Sequence, residues 1–285
     1  MNKLGVIGGS GLYEIEGLTD VREVEVETPF GRPSDAFTVG TLHGTEVAFL
    51  PRHGKGHRLM PSELPFKANL YAMKKLGMDQ VLAISAVGSM LEEIVPGHLV
   101  VVDQFIDRTR HRAETFFGDG IVGHVHFADP IYMPLAERVY EAACAAGATV
   151  HKGGTYLCME GPQFSTRAES HLYRSWGVKV IGMTNLQEAK LAREAGLGYS
   201  TLALATDYDC WHESEEDVSV EAVIQVLKDN AEMAKNVVRE LARNLAAKAC
   251  PIMDNPLEYA ILTAPGAITP EARQRLAIFL PEHLR

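Results

Sequence analysis

Apolar and polar positions along this chain follow two rhythms that take turns. Short apolar runs at Leu4 to Ile7, Ala36 to Leu42, Val47 to Leu50, Val81 to Ser85, His98 to Val102, Thr155 to Met159, Val178 to Met183 and Tyr199 to Ala205 have the length and residue types of buried strands. Between several of them, apolar residues recur every three to four positions, over Pro65 to Leu76, Leu135 to Ala146, Thr166 to Trp176 and Gln187 to Ala195. That is the period of a helix with one buried face. Strands alternating with helices imply parallel strands joined by crossover helices. Val21 to Glu27 alternates with period two, and Leu42-His43-Gly44-Thr45 reads as a hairpin turn, which adds antiparallel pairs early and predicts a mixed sheet that curls. The expected fold class is α/β: a single domain over residues 1–285, with a central mixed, mostly parallel sheet flanked by helices. Ser219 to Ala247 predicts a last long helix. Beyond Cys250-Pro251 only Pro270 to Phe279 is helix-like, so residues 250–285 read as a C-terminal tail able to reach a neighbouring subunit.

Composition narrows the class. With 46% hydrophobic and 22% charged residues, the chain has the make-up of a globular domain that folds without staples. Its net charge of -10 repels nucleic acid and anionic membranes, so neither is expected as a partner, and a phosphate-bearing ligand has to be met by a local basic pocket. Cys144, Cys158, Cys210 and Cys250 show no C-x-x-C spacing, which reads as reduced thiols rather than a disulfide frame. Met1-Asn2-Lys3-Leu4 runs straight into the first strand, and no apolar stretch is long enough to span a bilayer. A cytoplasmic location is expected.

The chemistry-bearing residues collect where strands end. Asp207 and Asp209 stand two residues apart after the run Tyr199 to Ala205; alternation along an extended chain would turn both toward one ligand. Paired acids at that edge suit a nitrogen-rich heterocycle, through proton donation or hydrogen-bond acceptance. Gly5-Val6-Ile7-Gly8-Gly9-Ser10-Gly11 offers backbone N–H groups and the Ser10 hydroxyl to an anion, although it lacks the spacing of a dinucleotide fingerprint or a P-loop. Arg52-His53-Gly54-Lys55-Gly56-His57-Arg58 concentrates positive charge, and an arginine fork suits phosphate or carboxylate; a solvated basic turn is the alternative. Ser85-Ala86-Val87-Gly88-Ser89 and Met183-Thr184-Asn185 repeat the theme of small and hydroxyl residues at a strand end. Glu160-Gly161-Pro162-Gln163-Phe164 presents an aromatic ring that can stack on a base or else belong to the core, while Glu160 can accept from sugar hydroxyls. His53, His57 and Glu63, with His124 and His126, form a second, metal-binding reading whose spacing nothing fixes.

Gly8-Gly9-Ser10-Gly11, Thr28-Pro29-Phe30-Gly31-Arg32-Pro33-Ser34-Asp35, Arg52-His53-Gly54, Asp103 to Thr109, Glu160 to Ser165, Arg167-Ala168-Glu169-Ser170 and Ala205 to Trp211, in this order, resemble the 5'-methylthioadenosine phosphorylases, within the trimeric group of purine nucleoside phosphorylases. The resemblance covers about residues 3 to 245. It implies a nucleoside phosphorylase-like, partly barrel-like fold, phosphate-dependent cleavage of 5'-methylthioadenosine to adenine and 5-methylthioribose 1-phosphate in methionine and purine salvage, and no metal or organic cofactor, inorganic phosphate being the co-substrate. A methylthioinosine or broader purine nucleoside phosphorylase is the alternative; a metal-dependent hydrolase and a non-catalytic nucleoside sensor are more distant ones. Carried over by position, it implies that Ser10, Arg52, His53, Ser85, Ala86 and Thr184 bind phosphate. It puts Met183 under the ribose, Phe164 beside the purine, and Asp207 and Asp209 at the purine's N7 and 6-amino edge. It implies a homotrimer, or a hexamer of two trimers, in which a neighbour's His124, or His126, closes the 5' end. Val218, Val220 and Val223 match the apolar wall around the methylthio group, with Phe279 in place of a neighbour's leucine. The chain departs from many relatives in carrying Leu186-Gln187-Glu188 where they have Val-Pro-Glu.

Overall fold

The computed structural model of the chain describes residues 3–9, 11–12, 14–212 and 220–284, excluding the side chains of 220–225 and 227. Eleven strands form one mixed sheet. Strands β1 (Lys3–Gly8), β2 (Leu18–Val24), β3 (Phe37–Leu42), β4 (Thr45–Pro51) and β5 (Gln80–Ser89) run in the order β2-β3-β4-β1-β5. Beyond β5 the sheet forks. One branch continues through β10 (Val178–Gly182), β9 (Thr155–Met159) and β7 (Gln104–Arg108); the other through β11 (Gly198–Asp207), β6 (Leu99–Val101) and β8 (Val150–Lys152). Six pairings are parallel and four antiparallel, the mixed, mostly parallel α/β sheet that the alternation predicts.

Strands with partners on both sides and layers on both faces must be apolar throughout. That is why the central ones stand out in the chain: β1, β5 and β11 are buried almost end to end. Two short outer strands, β7 and β8, are only partly buried and carry no apolar run, so periodicity does not reveal them. The edge strand β2 exposes Asp20, Arg22 and Glu23, charges that discourage pairing with another chain. It lies three residues earlier than Val21 to Glu27 suggests, and its register with β3 shifts between Thr19 and Arg22.

The helices are α1 (Phe66–Lys75), α2 (Met133–Ala145), α3 (Arg167–Ser175), α4 (Asn185–Glu194), α5 (Val220–Ala247) and α6 (Pro270–Leu276). A capping box sets the start of α3: the Thr166 hydroxyl accepts from the Glu169 amide and the Glu169 carboxylate accepts from the Thr166 amide, worth about 1 kcal/mol. Among the described residues no helix is long and apolar enough to cross a membrane, and all four cysteines are free.

The C-terminal segment packs on its own chain. Leu257, Ile268, Leu276, Phe279 and Leu280 join the main core, the Ala260 carbonyl accepts from the His124 amide at 2.9 Å, and the Leu262 amide donates to the Val122 carbonyl at 2.9 Å.

Candidate active site

The carboxyl ends of β1 and β4 and the middle of β5 are tied together by one buried ion pair. Arg52, the residue after β4, is 2% exposed. Its Nε lies 2.5 Å from Oε1 of Glu188 on α4 and its Nη2 lies 3.1 Å from Oε2. The remaining contacts run from Nη1 to the Ile84 carbonyl at 2.8 Å and from Nη2 to the Ile7 carbonyl at 3.3 Å. Four of the five N–H donors are therefore committed. Burial works against the guanidinium's charge and Glu188 more than offsets it, so the pKa is raised. The Tyr199 hydroxyl also donates to Glu188, at 3.0 Å, and Asn185 Nδ2 donates to that hydroxyl at 3.1 Å. Arg52 thus knits the sheet edge, and its charge is largely balanced before any ligand arrives.

Neutral donors stand around that pair. Ser85 and Ala86 lie on β5, the former buried and the latter half-buried. Thr184 is buried and occupies the N-cap of α4, where unpaired backbone N–H groups favour an anion. His53 is half-buried, and its Nδ1 lies 2.8 Å from the Leu59 carbonyl. A carbonyl only accepts, so Nδ1 carries the proton and neutral His53 offers a bare Nε2. Burial lowers its pKa to about 4, the Leu59 carbonyl opposing and the neighbouring Arg52 and His57 charges adding to the drop; His53 is neutral at pH 7.

A second arginine, Arg112, closes the middle of the site. Its side chain is 1% exposed. Nη1 donates to the Met183 carbonyl at 2.5 Å and to Gln187 Oε1 at 3.0 Å, Nη2 to the Glu160 carbonyl at 2.5 Å, and Nε to Glu160 Oε1 at 3.3 Å. Gly161 (φ 64°) lets the chain pass over Met183: a Cβ there would lie 2.5 Å from its Sδ. Glu160, expected to meet sugar hydroxyls, has partners within its own chain. Its carboxylate is taken by the Ser62 hydroxyl, the Arg110 amide and Arg112. Burial would raise its pKa, and these partners override burial and lower it. Sequence reasoning missed Arg112, because Arg110-His111-Arg112 carries no strand, turn or spacing signal.

Asp207 and Asp209 do come together, by a different route from strand alternation. The register of β11 against β5 shifts between Ala205 and Asp207, so Thr206 is extra and Asp207 pairs with Gly88. The chain then turns. Asp209 opens a short 3-10 segment with φ 52°, a left-handed conformation that Asp tolerates, and its amide donates to Asp207 Oδ1 at 2.8 Å. Gly88 is needed opposite: a Cβ there would lie 3.0 Å from Asp207 Oδ1 and 3.3 Å from Asp209 Cβ. Thr206 Oγ1 lies 2.7 Å from Asp207 Oδ2 and 3.2 Å from the Val87 carbonyl oxygen. The Thr206 hydroxyl turns its one proton toward these two acceptors. Asp209 is 8% exposed, and burial raises its pKa against hydrogen bonds from Ser170, the Cys210 amide and Ser165. Phe164 is 52% exposed, so the core reading of that ring falls.

Other expected residues stand elsewhere. His124 and His126 are exposed on a segment joined to the C-terminal stretch by the bridge Gly123 to Ile261. Phe279 is 4% exposed, its ring centroid 5.3 Å from that of Tyr71 and 4.6 Å from that of Phe116; it is core in its own chain. Ser10, Val218 and the side chains of Val220 and Val223 lie outside the described residues. The His53 and His57 rings stack at 4.3 Å, and among the described residues no group of three His, Cys, Asp or Glu side chains is placed to hold a metal ion.

Comparison with known proteins gives the family and the fold. Residues 3–243 match the family model of the phosphorylase superfamily. S-methyl-5'-thioadenosine phosphorylase of Geobacter sulfurreducens is 59% identical over 283 residues, covering 99% of each chain. A methylthioadenosine phosphorylase from an antarctic soil metagenomic library has a crystal structure that superposes with a TM-score of 0.94 at 48% identity, covering 98% of this chain and 99% of that one. Methylthioadenosine phosphorylase from Schistosoma mansoni, solved in complex with adenine, superposes with a TM-score of 0.83 at 35% identity over 87% of this chain and 93% of that one.

Proposed function

We propose, from the premise that the chain belongs to the phosphorylase superfamily, that this protein cleaves 5'-methylthioadenosine with phosphate, releasing adenine and 5-methylthioribose 1-phosphate. The observation that carries this reading is the shared edge of β5 and β11. Ser85 stands on β5 beside the Arg52 ion pair, and Gly88, three residues on, faces Asp207. Three residues of strand span roughly 10 Å, the scale of one nucleoside between its phosphate nucleophile and the far edge of its base.

Cleavage of the glycosidic bond passes through an oxocarbenium-like sugar, so the site must place an anion beneath C1' and neutralise the departing purine. Thr184, Ser85, the Ala86 backbone and the last Arg52 donor hold phosphate, with Ser10 closing the turn and neutral His53 presenting Nε2. Met183, its carbonyl fixed by Arg112, underlies the ribose. Asp207 carries the proton for N7, and Asp209 accepts from the 6-amino group and orients the base. The proton passes from carboxyl to purine as the C1'–N9 bond breaks and the electron pair enters the ring. Phosphate is a co-substrate and no cofactor is required. The protein works in the cytoplasm as a homotrimer, with His124 reaching a neighbour's 5' pocket.

Adenine release measured with and without phosphate tests this reading. The expected result is strict dependence on phosphate and a preference for methylthioadenosine over methylthioinosine, adenosine and inosine; preference for the 6-oxo compounds, or phosphate-independent hydrolysis, overturns it. Sedimentation velocity tests assembly, a trimer being the expected species.

A further inference from the structure

Tyr156 stands on β9, fully buried, and among the described residues its hydroxyl has no hydrogen-bond partner. A buried hydroxyl left unpaired is costly, and native structures keep few of them. The position of this one is specific. Tyr156 pairs with Val180 of β10, and its ring reaches along that strand to Gly182, where a Cβ would collide with the hydroxyl oxygen. Gly182 ends β10 and immediately precedes Met183 and Thr184. Burial raises the phenol's pKa, and the Ser85 hydroxyl, the Arg52 charge and the Thr184 amide are near enough to pull it back. The group therefore stays protonated, a donor, among three of the residues assigned to phosphate. Arg52 is already balanced by Glu188, so a neutral O–H adds binding where a further cation would add an uncompensated buried charge.

We infer that the Tyr156 hydroxyl is an additional phosphate-binding group, donating a hydrogen bond to the anion held between Ser85 and Thr184. The inference rests on the phosphorolysis reading above. Phosphate supplies the acceptor that the chain withholds, and the glycine at 182 is the room the ring needs to deliver the donor.

Tyr156→Phe in the full-length protein removes the hydroxyl and keeps the ring. The expected result is a rise in the KM for phosphate of roughly 10- to 100-fold, the loss of one hydrogen bond to a charged group. At saturating phosphate the KM for methylthioadenosine stays within about twofold. In phosphate-free buffer the variant melts no lower than the wild type, since no protein–protein bond is lost, and added phosphate raises its Tm less. A phosphate KM within about twofold of the wild type overturns the inference. So does a lower Tm without phosphate together with equal rises in both KM values, which would assign the hydroxyl to the packing of β9 on β10. Wild-type protein that gains Tm with phosphate but releases no adenine sinks the phosphorolysis reading and leaves the hydroxyl's role to be read from the Tm arm.

Discussion

The two ends of the site are built in opposite ways. At the phosphate end the groups are deeply buried: Arg52, Ser85 and Thr184 are at most 8% exposed, and Arg52 is bonded to Glu188 and to the Ile7 and Ile84 carbonyls. At the base end the chain leaves regular structure at Asp207, the last residue of β11. Asp207 follows a register shift, Asp209 sits on a left-handed residue, and Phe164 stands open on a loop. A small tetrahedral anion is best met by donors fixed in advance in a dry setting. A nucleoside has to enter and leave, so its contacts belong on loops carried by that frame. The contrast predicts that base-end substitutions damage turnover and spare the fold, while phosphate-end substitutions damage both.

Asp207→Ala gives the largest effect. Removal of the proton donor lowers kcat by roughly 10²- to 10⁴-fold, while the midpoint of urea unfolding and the KM for phosphate change little, since Asp207 is only half-buried. Equal losses of kcat and phosphate affinity would break the separation of the two ends.

Glu188→Gln reverses the pattern. It leaves the Arg52 charge buried against a neutral amide, and breaking a buried pair of this kind costs about 3–5 kcal/mol. Chemical denaturation is expected to show that loss, with phosphate affinity falling as the strand ends loosen. A variant as stable as the wild type would show that the ion pair does not hold the edge.

The same contrast explains what could be read from the chain. Central strands and the hairpin at His43-Gly44 were legible because double-sided burial and a two-residue turn leave local marks. The motif residues at the phosphate end were legible because they sit directly after those strands. Arg112 and Glu188 were not assigned, because their ion-pair partners lie 48 and 136 residues away and long-range pairing leaves no local pattern. Tyr156 looked like any aromatic in a buried strand; only the fold reveals that its hydroxyl lacks a partner. Asp207 and Asp209 were paired correctly for a reason the structure corrects, a turn and an amide bond in place of alternation.

His53 sharpens the comparison through pH. Its pKa of about 4 in the fold lies below the roughly 6.5 of a free histidine, so the unfolded chain binds more protons between those values. Stability contributed by neutral His53 is present above pH 6.5 and is lost as pH falls toward 4. In phosphate-free buffer, His53→Gln is therefore expected to lose less stability than the wild type between pH 7 and 4.5, by on the order of 1–2 kcal/mol. Parallel curves for the two proteins would mean that His53 is not held neutral by the phosphate end.

Phe164 gives the smallest effect and the cleanest division. The ring is half exposed and follows the Gly161-Pro162-Gln163 turn, so its removal takes little from the core. An aromatic pair is worth about 0.5–1.5 kcal/mol beyond area burial, which as a change in nucleoside affinity is roughly 2- to 12-fold. Phe164→Leu keeps an apolar side chain and removes the π face; its KM for methylthioadenosine is expected to rise within that range with the KM for phosphate and the Tm unchanged. A fall in Tm with no change in nucleoside KM would return Phe164 to the fold and leave the base end resting on the two carboxylates alone.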